Sequence, residues 1–493
     1  RCPHFQNCAF YKARSAMEDA DVIVANHDLV LADLSLGGGA ILPAPEKTIY
    51  VFDEGHHLAD KALNHFRLEF GVRSTRQWLK QLEKVIEQFI ADAGMPVGLM
   101  HSLQEMPANL QALSQSASLV WPLVMDLMQD KDRQRFEFGV LPESLRELLQ
   151  TMKAPLQPVV HCLDKMSDML QKSLDPNETG DFQREVAEAW QAPVGIMLAR
   201  AEELSEALSW IAAEEAEGEL PVARWLSKRP YGDDWDISIS ASPISVAAQL
   251  RRNLWSRCYG AVVTSATLTA LNSFNALKWE AGLPDWAVYE RVASPFNYPE
   301  LGQLEVVQLA SDPKSEAFES DVQDWLKEAV NPDEATLVLF SSRAQLEATR
   351  DFFIRDWYEH LLCQGYLPKG EIVRRHKERI DDGKGNVIFG LASFAEGIDL
   401  PGEYVTHVVI VKIPFAVPDD PIQSAISEWM ESRGRNPFME LTLPAASIRL
   451  IQACGRLIRK ESDRGKVSIL DKRLVSSRYG QLLLDSLPPF RRV

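Results

Sequence analysis

The sequence predicts an α/β protein of two parallel-sheet domains with a helical insertion in the first. Three observations predict it. The chain has 493 residues, more than one ordinary domain needs. Short apolar runs alternate with helical stretches in two separate regions, as in parallel sheets covered on both faces. From about residue 74 to about 216, Leu, Met, Ala, Gln and Glu dominate instead, and apolar residues recur at helical spacing, as at Leu110, Leu113 and Val120 or Leu204, Leu208 and Ile211.

In chain order, residues 1–14 form a cysteine-bearing N-terminal segment. Residues 15–73 and 217–275 make the first α/β domain, 74–216 its helical insertion, and 276–493 the second α/β domain. In the first domain, Asp21–His27 reads as a short strand ending in polar groups, Gly37–Gly39 as a loop, and Thr48–Phe52 as a buried strand. Strand signals return at Trp235–Ser240 and Gly260–Thr264. The second domain offers Leu304–Leu309, Thr336–Phe340, Val387–Phe389, Val405–Val411 and Val467–Leu470.

Composition narrows the class. Hydrophobic residues at 46% and charged residues at 25% suit a globular protein. A net charge of −18 argues against wholesale phosphate binding, but not against a local basic groove. No apolar run is long enough to span a bilayer and no secretory signal is present, so no membrane partner is expected. The six cysteines, at 2, 8, 162, 258, 363 and 454, do not form a disulfide framework, which points to a reducing cytoplasm. Residue 1 is Arg rather than Met, and the chain is expected to be the larger C-terminal part of a longer protein.

The strongest chemical signal follows the Thr48–Phe52 strand: Asp53-Glu54-Gly55-His56. A carboxylate at the C-terminal end of a parallel strand stands where such sheets bind ligands. In nucleoside triphosphatases the first carboxylate holds Mg²⁺, and Glu54 would then orient and deprotonate the attacking water. A competing assignment is a zinc hydrolase with Glu54, His56, His57 and His65 as ligands. Adjacent His56 and His57 point different ways, however, and the spacing is not His-Glu-x-x-His.

The second signal is Gln452-Ala-Cys-Gly-Arg456-Leu-Ile-Arg459. On a helix, residues 452, 456 and 459 share one face, which would carry an amide and two permanently charged guanidiniums suited to phosphate. Thr264-Ser265-Ala266-Thr267 supplies hydroxyls at a strand end. Ser393-Phe394-Ala-Glu396-Gly397-Ile-Asp399-Leu-Pro-Gly402 is a turn-rich loop, and Leu339-Phe340-Ser341-Ser342 another strand end with hydroxyls.

Taken together in chain order, from Asp53 through Thr264, Leu339 and Ser393 to Gln452, these five strings resemble motifs II, III, IV, V and VI of superfamily 2 helicases. With Lys412-Ile-Pro-Phe415 and Pro418-Asp-Asp-Pro421, the chain resembles the DinG/YoaA branch of the XPD-like iron–sulfur DNA helicases. The resemblance extends from the cysteines to Leu487-Pro488-Pro489, and covers the insertion only by position and helicity.

The resemblance implies two RecA-like domains, an arch-type helical insertion in the first, and a partial iron–sulfur segment at the N-terminus. It implies ATP-dependent 5′ to 3′ unwinding of single-stranded and forked DNA, in repair or replication-fork maintenance, with a possible repair or replication protein as partner. ATP and Mg²⁺ would be held by Asp53, His56, Gln452, Gly397, Asp399, Arg456 and Arg459, with Asp53 on the metal and Glu54, Asp53, Arg456 and Arg459 catalytic. Ser265, Thr267, Ser341, Ser342 and Phe394 would couple turnover to DNA. Cys2 and Cys8 would be two of four [4Fe–4S] ligands. The sequence departs from this pattern in one respect: Gly-x-x-x-x-Gly-Lys-Ser/Thr occurs nowhere, and Gly383-Lys384 and Gly465-Lys466 lack both the earlier glycine and the following hydroxyl residue. The fragment alone is therefore expected to be inactive. A non-enzymatic helicase-like module that binds nucleic acid or a partner is the alternative.

Overall fold

The computed structural model of the chain describes residues 7–17, 19–214, 220–391, 394, 396–416 and 419–493. Among these residues the strands are β1 (Ile49–Phe52), β2 (Leu68–Gly71), β3 (Arg133–Arg135), β4 (Val222–Tyr231), β5 (Asp234–Pro243), β6 (Gly260–Val263), β7 (Gly302–Val306), β8 (Ala335–Phe340), β9 (Leu361–Cys363), β10 (Asn386–Leu391), β11 (His407–Ile410), β12 (Gly465–Ile469) and β13 (Arg491–Arg492). They divide between two compact units. The first comprises Arg1–Ala59, Ala247–Val417 and Asn436–Val493; the second comprises Asp60–Val246 and Pro418–Arg435.

In the first unit, seven parallel strands run in the order β13-β7-β12-β11-β8-β10-β9. Side chains alternate across a strand, and here both alternating sets are buried. Leu337, Leu339, Ile388, Val408, Ile410 and Val467 fill one core, while Val338, Phe340, Val387, Phe389 and Val409 fill another. The continuous apolar runs of the sequence have this origin.

The β1–β6 pair is also parallel, with Phe52 opposite Val263. It does not match the expected strand covered on both faces. Tyr50 and Phe52 are buried, but Ile49 and Val51 are 61% and 65% exposed. Asp21–Asn26 forms no strand, and Val24 is 95% exposed. The Asn26 side chain instead accepts the Leu29 N–H at 2.8 Å and caps helix His27–Ser35. Buried Asp33 then gathers the glycine loop by accepting N–H groups of Gly39, Ile41 and Leu42 at 3.0, 2.6 and 3.1 Å.

The second unit holds four long helices, Val72–Ala93, Met100–Met128, Glu143–Leu174 and Arg184–Ile211. Leu110, Leu113, Val120, Leu204, Leu208 and Ile211 are all in its core, as their spacing predicts. An antiparallel sheet of order β2-β5-β4-β3 completes it. Here the expected boundaries shift. The sequence places β4 and β5 in the first α/β domain, but Leu226, Ile237 and Ile239 share one core with Trp78, Leu82 and Phe89 of the helices. Helix Pro421–Ser432, expected with the second α/β domain, also joins this unit. Its Glu428 pairs with Arg135 and accepts the Phe138 N–H at 2.6 Å.

Candidate nucleotide site

The turn after β1 is shaped by its neighbour β6. The N–H of Thr264 donates to Phe52 O and the N–H of Gly55 to Thr264 O, both at 2.9 Å. A Cβ on Gly55 would stand 2.3 Å from Val263 Cγ1, so only glycine fits this approach. Asp53 Oδ1 accepts the Glu54 N–H at 3.0 Å. Glu54 itself sits in the left-handed region at φ 49° and ψ 43°, uncommon for a non-glycine residue and typical of strained functional turns. Its side chain is 60% exposed.

Around this carboxylate the structure builds a closed hydrogen-bond network. Gln452 Nε2 donates to His56 Nε2 at 2.9 Å and to Thr267 Oγ1 at 3.3 Å, using both amide hydrogens. His56 Nε2 is thus the acceptor, and the neutral ring carries its proton on Nδ1. That N–H donates to Ser265 Oγ at 2.8 Å. The Ser265 hydroxyl in turn donates to Glu54 Oε2 at 2.9 Å, and accepts a second N–H from Thr267 at 3.2 Å. Ser265 therefore has its one donor and both acceptor positions filled. Among the described residues no hydrogen bond reaches Glu54 Oε1.

His56 stays neutral because burial, and then the neighbouring His57 ring, push its pKa down to about 4 against the opposing pull of Glu54. Both of its ring nitrogens are engaged by protein groups, which removes it as a zinc ligand. Among the described residues no group of three or more His, Cys, Asp or Glu side chains is arranged to hold a metal.

Gln452 lies near the end of helix Leu443–Cys454, and here the helical-face expectation is corrected. The helix stops before Arg456, so residues 452, 456 and 459 do not share one helical face. The N–H groups of Arg459 and Lys460 are taken instead by the Asp463 carboxylate, at 2.7 and 2.8 Å. Arg459 is exposed there. Arg456 turns inward and donates from Nη1 to Ile398 O at 3.0 Å; its Nε–H is buried without a partner among the described residues. Burial and the nearby Arg459 charge lower its pKa, while the carboxylates of Glu396, Glu54 and Asp399 act the other way. Gly397 lies in the same loop at φ 75°, and Asp399 is exposed beside it.

The remaining expectations separate. Phe394 is a correction: it is 3% exposed, belongs to the sheet core and packs against Gly390, so it cannot present its ring to DNA. Ser342 caps helix Arg343–Phe353 by accepting the Gln345 N–H at 3.3 Å, and both Ser341 and Ser342 are exposed. Cys2 and Ser393 lie outside the described residues. Cys8 is a half-buried free thiol at the start of helix Ala9–Ala16. One residue escapes sequence reasoning altogether. The Lys369 Nζ donates to Glu396 O at 2.5 Å, beside Arg456, and an isolated lysine after a proline carries no motif signal.

A pH dependence follows from the buried imidazoles. His407, like His56, is held neutral by burial, to about 3, and His376 is lowered in the same sense. The unfolded chain takes up protons on these rings below its ordinary pKa of about 6.5. The folded chain refuses them, so stability falls as pH drops from about 6.5 toward 4. The expected slope is about 1.4 kcal/mol per pH unit for each ring still neutral in the fold. Urea unfolding at pH 7.5 and 5.0 measures this; an unchanged midpoint would contradict it.

Comparison with known proteins gives a consistent result. Residues 326–490 match the family described as Helicase C-terminal domain. An ATP-dependent DNA helicase DinG of Photobacterium profundum is 38% identical over 500 residues, covering 100% of this chain and 71% of the relative. The ATP-dependent DNA helicase DinG of Escherichia coli (strain K12) is 32% identical over 507 residues, covering 99% of this chain and 69% of the relative. In fold, the chain is similar to a solved XPD helicase, with a TM-score of 0.54 at 15% identity over 99% of this chain and 76% of that one. A second similar structure is Xpd4 of S. tokodaii, with a TM-score of 0.51 at 14% identity, covering 92% of this chain and 77% of that one.

Proposed function

Because this chain belongs to the DinG family of ATP-dependent DNA helicases, we propose that the Asp53–Glu54 turn and the Gln452–Arg456 turn are two faces of one ATP-hydrolysing site that drives 5′ to 3′ DNA unwinding. The observation that carries this reading is the hydrogen-bonded line from Gln452 through His56 and Ser265 to Glu54. It joins the end of helix Leu443–Cys454 to the turns after β1 and β6 and ends on a carboxylate.

In this reading Asp53 would hold Mg²⁺, which when bound would neutralise phosphate charge. The Ser265 hydroxyl fixes one oxygen of Glu54, so the other is oriented toward the attacking water and takes its proton. Arg456 stabilises the charge that develops on the transferred phosphate, with Arg459 adding positive potential and Asp399 and Gly397 shaping the loop. The Gln452 amide senses the relation between the two sheets through His56 and Thr267, which couples hydrolysis to movement.

Single-stranded and forked DNA would meet the exposed Ser341 and Ser342 at the end of β8. The open apolar face of Ile49 and Val51 suits a further packed layer over the β1–β6 pair. Cys2 and Cys8 are proposed as two thiolate ligands of a [4Fe–4S] cluster. The half-buried, free thiol of Cys8 suits one such position. The physiological setting proposed is DNA repair or replication-fork maintenance. The test is ATP hydrolysis by the full-length gene product with and without single-stranded DNA. Stimulated turnover is expected; DNA binding without turnover would favour the non-enzymatic module.

A further inference from the structure

We propose that Lys369 is a positioning residue for Arg456, holding the 396–399 loop in the shape that presents the arginine to the transferred phosphate; this rests on the nucleotide-site reading above. Lys369 opens the 13-residue helix Lys369–Asp381. Its ammonium donates to Glu396 O at 2.5 Å and lies 5.4 Å from the centre of the Phe394 ring. Arg456 Nη1 donates to Ile398 O at 3.0 Å. Two cations thus hold two carbonyls of one loop, two residues apart. Gly397 stands between them at φ 75°, and a Cβ there would be 3.4 Å from the Lys369 Nζ.

Lys369 is an exposed residue, yet its ammonium bonds a backbone carbonyl where an ordinary surface lysine stays in water or pairs with a carboxylate. The Lys369 ammonium is spent on a backbone carbonyl next to another cation. Burial and the Arg456 charge both push its pKa down, with only Glu396 opposing them. An anion such as a triphosphate beside the two cations would offset their mutual repulsion. The aromatic face of Phe394, itself locked in the core, sets where the ammonium rests. Removing the lysine frees one of the two held carbonyls, and Arg456 then hangs on a loop with one support.

The experiment uses the full-length gene product and reads single-stranded-DNA-stimulated ATP hydrolysis, with unfolding midpoints measured alongside. Lys369→Ala is expected to lower kcat about 10- to 100-fold through misplacement of the arginine, with KM for ATP within about threefold of wild type. Lys369→Arg, which can still donate to the carbonyl, is expected to restore most of kcat. Gly397→Ala is expected to reproduce the Lys369→Ala loss by straining the turn at its positive φ. Normal turnover in Lys369→Ala, against an active wild type, would overturn the proposal and leave the nucleotide-site reading intact. A loss that Arg does not restore, together with a lowered unfolding midpoint, would mean the lysine only supports the fold and would also overturn it. An inactive wild type would overturn the nucleotide-site reading and this proposal with it.

Discussion

Glu54→Gln is expected to cut DNA-stimulated ATP hydrolysis by about 10²- to 10⁴-fold while leaving ATP binding near its wild-type level. The substitution preserves shape, and the amide oxygen can still accept the Ser265 hydroxyl that now reaches Oε2 at 2.9 Å. What it removes is the capacity to take a proton from water. The side chain is 60% exposed, so the exchange costs the fold little. Fluorescent-nucleotide binding and steady-state turnover separate the two effects. Turnover within about threefold of wild type would take the general-base role away from Glu54.

Arg456→Ala is the second large effect. A guanidinium aimed at the transferred phosphate contributes about 10³- to 10⁵-fold to phosphoryl transfer, and a loss in that range is expected in kcat. The structural cost is small by comparison, since the Ile398 carbonyl loses one hydrogen bond, worth about 1 kcal/mol. Arg456→Lys should not restore activity. An ammonium is a point charge without the planar fork, and it cannot hold the carbonyl and reach a phosphate together. Full rescue by Lys would show that only local charge matters and would refute the positioned-arginine mechanism.

Much of this site is legible in the sequence because its chemistry is written in contiguous strings. Asp53-Glu54 after an apolar run, Ser265 and Thr267 after another, and Gln452 before Gly455-Arg456 each place polar groups at a strand or helix end, and the structure joins them by direct hydrogen bonds. The second sheet is legible because both faces of its strands are buried, which leaves unbroken apolar runs.

Other features depend on partners distant in the chain. Strands β4 and β5 carry the same local signal whether they join a parallel sheet or pack as a hairpin under helices; only their shared core with Trp78 and Phe89 decides. Phe394 stands in a loop string where an aromatic ring reads equally well as a contact or as core. Arg459 aligns with Gln452 only if the helix continues past Cys454, whereas the Asp463 carboxylate captures the backbone there. Lys369 is 27 residues from the loop it holds, with nothing in its neighbours to mark it.

The most direct test of the central claim is strand separation with tailed duplexes. The full-length gene product would be given ATP and Mg²⁺ with a duplex bearing either a 5′ or a 3′ single-stranded tail, with Glu54→Gln as the control. Unwinding of the 5′-tailed duplex alone, abolished in Glu54→Gln, is the predicted result. Unwinding that persists in Glu54→Gln, or that needs no ATP, would contradict the account.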